Sequence, residues 1–160
     1  MTERASPPSA LAQAPAEPGS PELRFMTALW NVWQVLSERG DQVLRARHDL
    51  GLRAFIALSH LQAAPTSPAP LALALGLPRY EVSRVLGDLE TRGVVVRTAG
   101  QGGAGRVVVT ATPQGRALWC SALDTLADVT APALGPLGPD REHLTSLLIR
   151  VAQAAQGDPR

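Results

Sequence analysis

The sequence predicts a mainly α-helical chain with one small β-hairpin, a winged helix-turn-helix set between longer flanking helices. Three observations predict it. Val82, Val85, Leu86 and Leu89 fall at i, i+3, i+4 and i+7, the apolar face of a helix. Val94-Val95-Val96 and Val107-Val108-Val109 are β-branched runs around a glycine-rich loop, which signals a hairpin. Ser20-Pro21 and Thr112-Pro113 are matching helix starts, each a capping hydroxyl before proline at the first helical position.

Met1 to Ser20 is rich in Pro, Ala and Ser without a period, and a disordered tail is expected there. Residues 21–156 then form one domain, with a lobe at about 50–112 and dimerisation helices at 21–48 and 113–156. The first helix runs to about Arg47, with Leu23, Met26, Leu29, Trp30, Trp33 and Leu36 at helical spacing and Gly40 as a weak point. Phe25, Val32 and Val35 widen its apolar surface, so it needs a second subunit as well as its own domain. A second helix, Leu52–Gln62, is followed by a loop, Ala63–Pro70. A short third helix, about Pro70–Leu75, ends at Gly76; being almost wholly apolar, it should wedge under the next helix. Leu77-Pro78 is the turn, and Pro78 starts that helix. Its outer face carries Tyr80, Arg84, Gly87 and Thr91, with Ser83 and Asp88 at the margins, and Gly93 stops it. The helix from Pro113 to about Thr130 bears Leu118, Ala122, Leu126 and Val129, widened by Trp119 and Leu123. Pro132, Gly135, Pro136, Gly138 and Pro139 break it. A last helix, Asp140 to about Gln156, follows with Leu144, Leu147, Leu148 and Val151.

Composition excludes several classes. With 45% hydrophobic but only 4% aromatic residues, the core is Leu, Val and Ala. The longest apolar run, Pro70 to Leu77, is far too short to span a membrane. No signal-peptide pattern opens the chain, and one cysteine permits no internal disulfide, so a cytoplasmic location is expected. All 15 basic residues are arginine, which rules out a Walker A loop. Gly100 to Gly105 spells G-x-G-x-x-G, but it runs into a strand rather than a helix and is read as the hairpin loop. His48, His60 and His143 are dispersed, so neither metal nor cofactor is expected. No Ser/His/Asp set or carboxylate pair suggests an enzyme, and Cys120, mid-helix beside Trp119, is expected to be buried and inert. Net charge is only +1, yet residues 79–116 hold six arginines against three acids, while residues 117–160 hold three against five. The excess falls on the proposed reading element, as phosphate binding requires.

The order of elements, with LALALGLPRYEVSRVLGDLETRGVVVR, TATPQGRAL and LGPDREHL, resembles the multiple-antibiotic-resistance regulator (MarR) family over about residues 22–155. The resemblance implies a homodimeric transcription factor, two lobes astride an inverted repeat in double-stranded DNA, and a small organic ligand between lobe and dimer region. The chain departs from the family pattern in three places. Gly103 and Gly105 stand where an Asp-x-Arg wing element is common, Pro78 replaces a capping Ser or Thr, and Tyr80 is large for its position.

The expected DNA contacts are Arg84 and Ser83 to base edges, Tyr80 to a thymine methyl or phosphate, and Arg79 and Arg106 to phosphates. Trp30, Trp33, His48 and Arg53 are the expected ligand residues, where the first helix, the Leu52 helix and the Thr112 helix meet. Indole walls and an arginine suit a small aromatic acid. The alternative is packing tryptophans with no cavity. The alternative to a repressor is a winged-helix dimer with weakened DNA binding that acts through protein contacts.

Overall fold

The computed structural model describes residues 19–100 and 107–157. Its elements are α1 (Pro21–His48), α2 (Leu52–Ala63), α3 (Pro68–Leu75), α4 (Arg79–Thr91), β1 (Val95–Ala99), β2 (Val107–Ala111), α5 (Pro113–Leu134), a 3-10 turn at Gly135–Leu137 and α6 (Asp140–Gln156). The chain divides into two compact units, one up to Val35 and one from Leu36 onward.

In the first unit, Ser20 caps α1 as its position predicts: its Oγ accepts the Leu23 N–H at 3.2 Å. Every described residue from Pro21 to Val35 is exposed, including Trp30 at 61% and Trp33 at 55%.

The second unit holds the core. Phe55, Ala57, Leu58 and Leu61 of α2 pack with Leu71 and Ala72 of α3, Val82, Leu86 and Leu89 of α4, and Val94, Val95 and Val109 at the hairpin base. Leu44 and Ala122 close it from α1 and α5. The hairpin is antiparallel with Val95 opposite Ala111 and Ala99 opposite Val107. Thr66, in the expected loop, adds a bridge to Val109 on the free edge of β2.

Several boundaries move. The third helix begins two residues early, at Pro68, and only one side of it is covered: Leu73 is 86% exposed, so the expected wedge is half right. Two helical turns present a single contact face, and Leu71 and Ala72 occupy it. Gly40 is no weak point. It is buried, and a Cβ there would meet Leu126 Cδ2 at 3.1 Å, so it marks a close approach of α1 to α5. Helix α5 passes through Pro132 to Leu134. Proline removes one N–H from the ladder, and the neighbouring residues Asp128 and Ala131 are exposed, so the freed carbonyl is open to solvent. Cys120 is exposed, not buried. Two residues before Ala122 it points to the far side of a helix that buries Gly115, Ala122 and Thr125.

The second start signal is a junction as well as a cap. Thr112 Oγ1 accepts the Gly115 N–H at 3.0 Å and donates to the Gly93 carbonyl at 2.8 Å. Gly115 lies so close to the Val94 carbonyl oxygen that a Cβ would stand 1.9 Å from it. We expect Gly115→Ala to destabilise the fold by about 3 kcal/mol or more, since backbone cannot yield as a side chain does. Gly87→Ala on α4, with nothing within 4 Å, should instead stabilise by about 0.5–1 kcal/mol. Denaturant titration of both variants checks the pair.

Candidate nucleic-acid interface

Helix α4 begins without the usual side-chain cap. Pro78 occupies the cap position, not the first helical turn, and its carbonyl accepts the Glu81 and Val82 N–H groups. The turn before it is set by Gly76 at φ 61, whose N–H and that of Leu77 close the carbonyls of Leu73 and Ala72. Val82, Leu86 and Leu89 are buried and Val85 is half-buried, which fixes the rotation of α4 about its axis. That rotation leaves Arg79, Tyr80, Ser83 and Arg84 exposed together, with Tyr80 at 72%. Four of the five expected DNA contacts therefore share one face. The fifth, Arg106, lies outside the described residues, as do the wing glycines 102, 103 and 105.

Charge is sorted on this face. Glu81 is turned back: its Oε2 pairs with Arg53 Nη1 at 2.8 Å, joining α4 to α2, and the Tyr80 hydroxyl donates to its Oε1 at 3.4 Å. Arg79 and Arg84 have no partner among the described residues. Arg92 and Arg97 are committed elsewhere. Arg97, on β1, donates from Nη2 to the Ser83 carbonyl at 3.2 Å and lies with Nε 3.4 Å from Glu90 Oε2. Arg92 donates to the His48 and Asp49 carbonyls at the end of α1. So part of the arginine excess counted in the sequence holds the lobe together and is not free for phosphates. One signal for Arg97 was present: it shares a strand face with buried Val95, and an arginine on an inward face needs an acceptor.

The four expected ligand residues divide between the two units. Trp30 and Trp33 belong to the first unit. His48 Nε2 is hydrogen-bonded to Thr125 Oγ1 on α5 at 2.8 Å, whereas Arg53 pairs with Glu81. Trp119 donates from Nε1 to Ser59 Oγ at 2.8 Å and packs against the core, a structural role. A cleft of about 730 Å³ does open within the second unit, lined by Asp41 and Arg45 of α1, Arg53 of α2, and Arg84, Val85 and Asp88 of α4. No group of His, Cys, Asp and Glu among the described residues could hold a metal, and none of their helices is long and apolar enough to cross a membrane.

At the cleft's edge, Asp41 accepts the Leu52 N–H at 2.8 Å, capping α2, and pairs with Arg45 Nε at 2.6 Å. The Arg45 hydrogen bond, with the Leu52 amide and the charges of Arg45 and Arg53, holds its carboxyl below the usual aspartate range against the opposing effect of burial. A carboxyl lowered on folding stabilises the fold above its unfolded value, and that stability is lost as pH falls through the folded one. Asp41→Asn should flatten the acid limb of the stability profile, and Asp41→Ala should also cost about 1 kcal/mol at neutral pH through the lost cap. Thermal melts between neutral pH and the aspartate range test both.

Residues 48–106 match the MarR family by sequence. No curated protein sequence matches the chain. Among solved structures, the Mycobacterium tuberculosis MarR family protein Rv2887 in complex with salicylic acid is 28% identical, with a TM-score of 0.66 over 78% of this chain and 93% of that one. The transcriptional repressor CouR bound to a 23-mer DNA duplex is 26% identical, with a TM-score of 0.67 over 80% and 89%. Wild-type MarR from E. coli is 20% identical, with a TM-score of 0.70 over 79% and 94%. The arginine-bearing helix and β1 thus lie in the segment that matches the MarR family by sequence, and the chain has the fold of the MarR transcriptional regulators.

Proposed function

We propose that this protein is a dimeric DNA-binding regulator that reads an inverted repeat with α4 and acts as a repressor by occupying a promoter. The observation that carries this reading is the charge sorting on α4. Two arginines without a partner among the described residues and two further hydrogen-bonding side chains face outward, while Glu81, which would repel phosphate, is held by Arg53. Arg84 and Ser83 would meet base edges, since arginine pairs bidentately with guanine O6 and N7. Arg79 would bind phosphate, and Tyr80 a thymine methyl or phosphate. The DNA-bound CouR structure supports the assignment by likeness of fold.

Dimerisation is the second part of the proposal. Helix α6 has no buried residue, and Leu144, Leu147, Ile149 and Val151 are 36–53% exposed. The same holds for the apolar residues of Pro21–Val35. Two copies would cover these surfaces, and an obligate pairing buries upwards of roughly 2,000 Å². Light scattering at micromolar concentration should return a dimer, and a monomer would remove this part of the reading.

A small aromatic acid is the inducer class we favour, by likeness to the salicylate-bound Rv2887. Arg53 lines the cleft and is the side chain there best placed to pair a carboxylate. Salicylate should quench tryptophan fluorescence and weaken DNA binding, less so in Arg53→Ala. No response at millimolar concentration removes this ligand class.

One observation favours a second reading, a dimer acting through protein contacts: the loop sequence GQGGAG lacks the family's charged wing pair. Gel shift against the gene's own upstream region separates the two. Saturable, sequence-specific binding that falls by about 1–3 kcal/mol in Arg84→Ala supports the regulator, while no shift at low salt supports the protein-contact reading. Replacing Arg106 should flatten the salt dependence by about one counterion.

A further inference from the structure

We propose that Arg92 is a positioning residue that sets the angle of α4 against α1 and α5, and through it the spacing at which two copies of α4 meet DNA. The consequence for DNA rests on the regulator reading above; the structural part does not. Arg92 caps α4, but its side chain ends on another helix. Nη1 donates to the Asp49 carbonyl and Nη2 to the His48 carbonyl at 2.9 Å. These carbonyls lie at the C-terminal end of α1, where acceptors have no partner within the helix and where positive charge is favoured. Asp49 is held there in the left-handed region at φ 48, its N–H and that of Leu50 closing on the carbonyls of Arg45 and Leu44. The main chain at this point reaches the other flanking helix. Gln114 Nε2 of α5 donates to the Arg92 carbonyl at 3.3 Å, and Thr112 donates to the carbonyl of Gly93.

The cleft explains why this residue should control an angle. Along the preceding turns α1 and α4 stand apart, with Asp41 and Arg45 on one wall and Arg84, Val85 and Asp88 on the other. Direct packing across that gap is absent where the cleft is open, so the bridge at its end bears on the separation. Arginine suits the task because its planar fork spans two carbonyls, whereas the single nitrogen of lysine cannot reproduce that geometry.

The test uses the full chain with Cys120→Ser and nitroxide labels at Arg39→Cys on α1 and Ser83→Cys on α4. The labelled protein is diluted into unlabelled protein so that distances within one chain dominate. Pulsed electron paramagnetic resonance should give one narrow distance with Arg92 present, a distribution roughly doubled in width for Arg92→Ala, and an intermediate width for Arg92→Lys. Leu61→Ala, which opens a cavity in the core beside α2, serves as a destabilised control and should stay narrow. In a second arm, the unlabelled protein is offered operators whose half-sites are one base pair closer or farther apart. Arg92→Ala should lose about fivefold or more of its spacing discrimination while keeping its base preference within each half-site. Wild-type width and wild-type spacing preference in Arg92→Ala would overturn the proposal, as would equal broadening in Leu61→Ala. If Arg92→Ala fails to fold, Arg92→Lys decides by the same readings. If the wild type binds no DNA, the regulator reading fails and the distance arm still decides the role of Arg92.

Discussion

The carbonyl of Val94 is the point on which the winged-helix lobe is assembled. It accepts the Thr112 N–H at 3.1 Å, and Gly115 rests on it so closely that no side chain fits between. Thr112 reaches back from the same place to the Gly93 carbonyl. The end of α4, the start of β1 and the start of α5 therefore share one compact junction of backbone groups. A shift of α5 at this junction must be felt at the end of α4. That is why glycine stands at the third position of a helix, where its low propensity would otherwise be a cost.

Around this junction the arginines divide by task. Those ending on carbonyls, Arg92 and Arg97, lock α4 to α1 and β1. Arg53 draws Glu81 away from the outer face. Arg79 and Arg84 are left without partners among the described residues. A helix meeting phosphate would gain from this arrangement twice: Glu81 is neutralised by Arg53, and Arg79 and Arg84, without partners among the described residues, would give up no hydrogen bond on reaching DNA. The exposed ion pairs themselves add little stability in water, so their value lies in orientation.

The elements were legible where the local signals were strong. Periodicity found α4, β-branched runs found both strands, and Ser20-Pro21 and Thr112-Pro113 marked two helix starts to the residue. What failed depended on tertiary context. Gly40 looks like a weak point until Leu126 is seen against it, and Pro132 looks like a break although an exposed helix end absorbs one lost hydrogen bond. The exposure of Cys120 follows from which side of α5 meets the core, which a stripe of mixed Leu, Ala and Trp does not define. For the site, the face carrying Arg79, Tyr80, Ser83 and Arg84 was readable from spacing alone. The sorting of the arginines was readable only for Arg97, from its place on the strand face of Val95; the acceptors themselves were not, because His48, Asp49 and Ser83 offer main-chain carbonyls that no side-chain pattern records.

The proposed function turns on an arginine of α4 reading guanine in the major groove. Methylation interference on the gene's upstream region tests it most directly, since a methyl group at guanine N7 blocks the acceptor that arginine uses. Methylation of one guanine in each of two symmetric half-sites, with centres about one helical turn apart, should abolish binding. Binding that is indifferent to N7 methylation at every guanine would contradict it.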